Sequence, residues 1–118
     1  MQMNHSAVWL SQLSRTVAQT QDKQANDYFR GIKAFMHLVT KGSTTVKLGV
    51  YGYDYLGNEF TVGEVTASST GDTLLTVYPA MTTGTGFIND VLPRNWHLKV
   101  TPSDANANVY SVCYDLIA

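Results

Sequence analysis

The chain has 118 residues and 13.0 kDa, enough for one domain that buries roughly two thirds of its unfolded surface. Charged residues make up 14%, well under the roughly 25% of ordinary soluble domains, and the net charge is −1 with no run of like charges. That balance provides no electrostatic footprint for nucleic acid and no basic patch for a lipid surface, so neither partner is expected. Cys113 is the only cysteine, which excludes an internal disulfide and favours a reduced, cytosolic compartment for assembly over secretion. The opening residues Met1 to Ser6 have neither a basic nor an apolar region of a signal peptide, and no run of eighteen apolar residues occurs.

Residues 1–27 are polar and glutamine-rich around one apolar knot, Val8-Trp9-Leu10, with Leu13 and Val17 after it. They are expected to form an extended N-terminal arm, with a first strand near Ser14–Thr20, and residues 28–118 the folded domain. The arm's Val8, Trp9, Leu10 and Leu13 are candidate anchors on a partner. Trp9 has two alternatives: folding back on its own domain or docking on a neighbouring subunit. Removing residues 1–13 is expected to leave the domain folded.

From Gly31 onward the pattern is β. Ile32, Ala34, Met36 and Leu38 alternate with Lys33, Phe35, His37 and Val39, and Lys41-Gly42-Ser43 ends the run. Val46, Leu48 and Val50 alternate with Lys47, Gly49 and Tyr51, and Asp54-Tyr55-Leu56-Gly57-Asn58 is a reversal before Phe60 and Val62. Further strands are expected over Thr73–Tyr78, stopped by Pro79, and over a closing hairpin from Val91 to Ile117 after the loop Thr82–Gly86. In that hairpin Trp96, Leu98 and Val100 share one face and His97, Lys99 and Thr101 the other, with Tyr110, Val112, Tyr114 and Leu116 on one face of the second strand. About seven strands with regular turn signals predict an all-β fold, an antiparallel sandwich of jelly-roll or Ig-like type, with Trp96, Val100 and Val112 between the sheets.

Candidate chemistry is sparse. His5, His37 and His97 lie far apart in sequence and lack zinc-ligand spacing, Asp54, Asn58 and Glu59 flank a glycine as an ordinary turn does, and Thr83-Gly84-Thr85-Gly86 lacks the lysine and helix of a phosphate cradle. No Gly-x-Ser-x-Gly elbow occurs, and Asn4-His5-Ser6 is a sequon that matters only in a secretory pathway. The chain is therefore expected not to be an enzyme and to need no metal or cofactor. Tyr51, Tyr53 and Tyr55 share one strand face if the strand runs that far, which offers a stacking platform for sugar rings or a partner. Arg94, behind Pro93 and ahead of Trp96, divides between a structural pair and an interface contact.

Five short blocks carry a resemblance: Arg30-Gly31 opening a strand that ends in Val39-Thr40, Gly52-Tyr53-Asp54 with Gly57, Leu75-Thr76-Val77-Tyr78-Pro79, Leu92-Pro93-Arg94-Asn95-Trp96, and Tyr110-Ser111-Val112 with Leu116-Ile117. In this order, over about residues 14 to 118, they resemble a family of small structural proteins of tailed bacteriophages. The chain departs from that family at Ala80 and Cys113, where glycine is usual, and at His97, where a basic residue is common. The resemblance implies a virion protein, a capsid decoration or cement protein on the outer capsid surface that contacts the major capsid protein and assembles with itself, as capsid cement proteins do, into trimers. A tail or neck component and a carbohydrate-binding module are the alternatives.

Overall fold

A computed structural model describes residues 4–118; of the expected arm, residues 1–3 lie outside the described part. Among the described residues the fold is all-β, with ten strands: β1 (His5–Arg15), β2 (Gln19–Thr20), β3 (Gln24–Ala25), β4 (Gly31–Lys41), β5 (Val46–Tyr53), β6 (Glu59–Ala67), β7 (Gly71–Tyr78), β8 (Phe87–Asn89), β9 (Asn95–Pro102) and β10 (Asn108–Ile117). They form two sheets. The first has the order β1-β10-β4-β7-β8, and the second β2-β9-β5-β6, with β3 also on β9. All pairs are antiparallel except β7 with β8.

Period-two alternation explains which side chains are inside. Ile32, Ala34, Met36 and Leu38 of β4, Val46, Leu48 and Val50 of β5, Leu75 and Val77 of β7, Trp96, Leu98 and Val100 of β9, and Tyr110 and Val112 of β10 are all buried between the sheets. Trp96 stands edge-on to Tyr114 at 5.4 Å between ring centres, so β9 and β10 meet across the core.

That contact corrects the expected closing hairpin. β9 belongs to the second sheet and β10 to the first, and they share no ladder. Facing strands in opposite sheets carry the same inward alternation as hairpin neighbours, so the pattern alone does not distinguish the two. The connection over residues 103–107 crosses between sheets beside the β4–β5 connection. Asn108 ties them: its Oδ1 accepts from the N–H groups of Gly42 and Ser43, and its Nδ2 donates to Ser43 Oγ. By contrast β5 and β6 form a true hairpin at the expected reversal, where Asp54 Oδ1 accepts from the Leu56 and Asn58 N–H groups and Gly57 takes φ +87°.

Six of the seven expected strands lie within β4, β5, β6, β7, β9 and β10. The first does not. Ser14–Thr20 is split between the end of β1, a link over residues 16–18 and the whole of β2, and the long strand lies earlier, with His5 opposite Leu116 and Arg15 opposite Asn108. Register shifts between Val8 and Leu10 and between Leu10 and Leu13 interrupt β1's alternation, which hid it. β2, β3 and β8 have two or three residues each, too few to alternate.

Candidate interaction surfaces

The leader read as an arm is the rim strand of the first sheet. Ala7, Trp9 and Leu10 pack against the core, whereas Val8 is 73% and Leu13 58% exposed. Of the four proposed anchors, two are therefore held by the protein's own sandwich and two face outward. No other strand pairs with the free side of β1, and its backbone is open toward His5–Leu10, whereas nearer its end the Arg15 guanidinium donates to the Ser11 and Leu13 carbonyls (2.7 and 3.1 Å). Between this rim and the rim of the second sheet lies a hollow of about 310 Å³, lined by Val8, Trp9, Thr20, Gln21, Asp22, Gln24 and Tyr114.

Gln21 closes the far wall of that hollow and had no signal in the sequence. It is buried in the gap between β2 and β3, where the backbone leaves β9. Its N–H donates to the Leu98 carbonyl (2.9 Å), and its side-chain Oε1 accepts from the Leu98 N–H (3.0 Å), replacing the missing ladder bond. Asn26 does similar work one turn on, donating from Nδ2 to the carbonyls of Phe29 and Leu92 and accepting from the Phe29 N–H.

The tyrosine platform does not form. Strand β5 stops at Tyr53, so Tyr55 sits on the turn, 97% exposed and away from the other two rings. Tyr51 is buried, lying flat over Gly49: a Cβ there would come within 2.5–2.7 Å of the phenol. Only at a glycine can the ring approach the strand this closely. Its hydroxyl donates to Glu64 Oε2 (2.5 Å), which Lys47 also meets at 3.1 Å. Burial, reinforced by that carboxylate, pushes the Tyr51 phenol above its ordinary range, while the Tyr51 and Lys47 hydrogen bonds hold Glu64 below the usual carboxylate value.

Tyr53 and Tyr51 flank a buried histidine. His97 has ring centres 5.1 Å from Tyr53 and 5.8 Å from Tyr51, with Nδ1 facing the Gln21 carbonyl oxygen (3.1 Å) and Nε2 facing Glu59 Oε2 (2.9 Å). Glu59 also receives Lys99 Nζ at 2.6 Å, and these bonds, that of Lys99 foremost, depress its carboxyl. Lys99 lies 4.7 Å over the Tyr51 ring and Lys23 4.8 Å over Tyr53. So the outer face of the second sheet is a closed network of Lys47, Glu64, Tyr51, Lys99, Glu59 and His97. The position where the resembling family commonly has a basic residue is, here, the partner of a carboxylate.

Arg94 is exposed; its carbonyl accepts from the Asn26 N–H (2.7 Å), and among the described residues its guanidinium has no hydrogen-bond or ion-pair partner. His5 is exposed on β1, and His37 is exposed and pairs with Asp72 at 2.6 Å. Asp54 is engaged by its own turn, whose backbone N–H groups lower its carboxyl, and Glu59 by Lys99 and His97.

The outer face of the first sheet differs. Its cross-strand register sets Leu74 of β7, Phe35 of β4, Cys113 of β10 and Val8 of β1 in one transverse row. On one side lie Thr76, Lys33, Asp115 and Ser6, and on the other Asp72, His37 and Ser111. Period-two reading had placed Phe35 on this face with Lys33 and His37, but the row needs the register.

No protein-family model and no curated protein sequence matches the chain. Solved structures do share its fold. It is similar to a chain of the Bacillus endospore appendages, described as a family of disulfide-linked pili (12% identity, 98% of this chain, 88% of that chain, TM-score 0.52). It is similar to a chain of infectious bursal disease virus, Gx strain (10%, 96% and 31%, TM-score 0.53). It is also similar to the SPBc2 prophage-derived protein YomS (10%, 97% and 96%, TM-score 0.50). At these identities the likeness is one of fold.

Proposed function

We propose that the protein is a non-enzymatic structural component of a phage particle, present in many copies on the outer capsid surface and reinforcing the shell by contacts with the major capsid protein. The observation that carries this reading is the strand order. We read β1-β10-β4-β7 against β2/β3-β9-β5-β6 as two interlocked Greek keys, an order that supports a jelly-roll plan over an Ig-like one. That plan recurs in viral capsid domains, and the fold likeness to a viral chain and a prophage-derived protein agrees with it. The blocks that resemble small tailed-phage structural proteins support the same assignment. No comparable support favours a sugar site, since Tyr51, Tyr53 and Tyr55 share no platform.

Attachment is through the β1 rim, where Val8 and Leu13 expose apolar surface beside an unpaired strand edge. Many such small contacts hold a lattice through repetition. The structure alters how this is tested. Removing residues 1–13 would strip most of β1 from β10 and uncover Tyr110, Val112 and Tyr114, so that truncation destabilises the domain. Val8→Asp with Leu13→Asp keeps the strand instead. This variant is expected to melt like the parent but to stop co-sedimenting with shells of the major capsid protein. Undiminished binding would sink the rim assignment. Copy number per particle separates the locations: on the order of hundreds means capsid, whereas about a dozen means tail or neck and overturns the capsid reading.

A further inference from the structure

We propose that the outer face of the first sheet is a homodimer interface, formed with a second copy of this chain about a two-fold axis parallel to the strands, between β4 and β10. The face has an apolar centre and polar margins: the Leu74–Phe35–Cys113–Val8 row, bracketed by rows that carry Lys33 with Asp115 and His37 with Asp72. That is the composition of a recognition patch. Its occupant follows from charge and size.

A two-fold axis along the strands exchanges β4 with β10 and β7 with β1. Lys33 then lies over the partner's Asp115, and Asp115 over the partner's Lys33, giving two opposite-charge pairs from one relation. In the row between the charged margins, Phe35 meets the partner's Cys113 and Leu74 meets the partner's Val8, so each larger side chain faces a smaller one. Within one chain these charges are not consumed by each other. Lys33 has no ion-pair partner among the described residues although Asp115 is its cross-strand neighbour, and Ser6 Oγ donates to Asp115 Oδ1 at 2.5 Å and holds that carboxylate in place. Two sheets facing each other in this way meet the aligned packing of β-sandwiches, about 10 Å apart.

Four strands of about ten residues span roughly 14 by 33 Å. This is smaller than the roughly 800 Å² per partner of a standard interface, so the dimer is weak in dilute solution and gains when copies are held together. The inference does not rest on the capsid reading. It uses the flat of the sheet, whereas attachment uses its rim, and only Val8 belongs to both.

The test is sedimentation equilibrium of the full chain over a concentration series reaching about 1 mM. The parent is expected to show a monomer–dimer equilibrium, and Phe35→Asp to weaken it at least about tenfold while still melting cooperatively. Lys33→Asp and Asp115→Lys should each be monomeric, and a one-to-one mixture of the two should regain a dimer. In the mixture like charges persist within each chain while opposite charges meet across the interface, so a merely intrachain role for the pair would not be rescued. A parent that stays monomeric, a trimer, or a mixture of folded variants that stays monomeric overturns the proposal. Should either reversal fail to fold, Lys33→Gln and Asp115→Asn take its place, and an unchanged dimer constant in both overturns it equally.

Discussion

The two outer faces of the sandwich are built from the same alternation and use their polar groups in opposite ways. On the second sheet, Lys47, Glu64, Lys99, Glu59 and His97 are paired with one another and with two tyrosines, so the face is finished without a partner. On the first sheet an apolar row crosses four strands, and Lys33 and Asp115 stand side by side without pairing. The lesson is that exposure alone does not mark a contact surface. What marks it is polar capacity left unsatisfied within the chain next to apolar area.

The largest expected effect is on what both faces share. Trp96→Ala should cost about 3–5 kcal/mol in denaturant unfolding, because it empties the space between the sheets and removes the Tyr114 contact. An effect under about 1 kcal/mol would mean the cavity collapses without loss. Next, Gly49→Val should cost about 1–3 kcal/mol by forcing the Tyr51 ring off the strand. It should also change Tyr51 fluorescence and near-ultraviolet dichroism; no change in either would mean that the ring is not seated there.

The closed face should also carry a pH signature. The carboxyls of Glu59 and Glu64 are depressed below the ordinary 4.5, so the unfolded chain takes up protons first as pH falls. Their contribution to stability is complete above pH 4.5 and is lost as pH drops through the lower folded values. Glu59→Gln should flatten the acid limb of the melting temperature against pH, and an unchanged limb would mean that the pairing of Glu59 with Lys99 and His97 does not stabilise the fold. Phe35→Ser, on the open face, should alter the stability of dilute monomer by less than about 1 kcal/mol. Smallest is Ala80→Gly. Ala80 has φ +62°, which explains why glycine is usual there in the resembling family, and relieving it should add about 0.5–1 kcal/mol in a urea titration.

How much of this was legible varies with what each feature depends on. Facing depends on period two, so the inward sets of β4, β5, β9 and β10 could be read directly, as could the Asp54–Asn58 turn. Pairing depends on which sheet a strand joins, and Trp96 facing Tyr114 across the core imitates a hairpin in the alternation. Bulges obscure β1, so the expected first strand, near Ser14–Thr20, lies later in the chain than the real one. Among site residues, Tyr51, Tyr53 and Tyr55 are evenly spaced, but the strand ends before Tyr55. The Glu59–His97 pair joins residues 38 apart. No local pattern encodes that, nor the buried amide of Gln21.

The pairing of β1 with β10 has a consequence for how the chain folds. Ser6 and Asp115 hydrogen-bond although 109 positions apart, so the chain must be synthesised as far as β10 before the first strand finds its ladder. Such high contact order places refolding among the slower two-state domains, in the millisecond-to-second range, and makes β1 a late arrival. Until then β10 offers a bare edge on the nascent protein, where the opening segment of another copy competes for the same place. Yield on expression should therefore fall with synthesis rate and temperature more steeply than equilibrium stability would suggest, and domain-swapped dimers through β1 are the misassembly to look for.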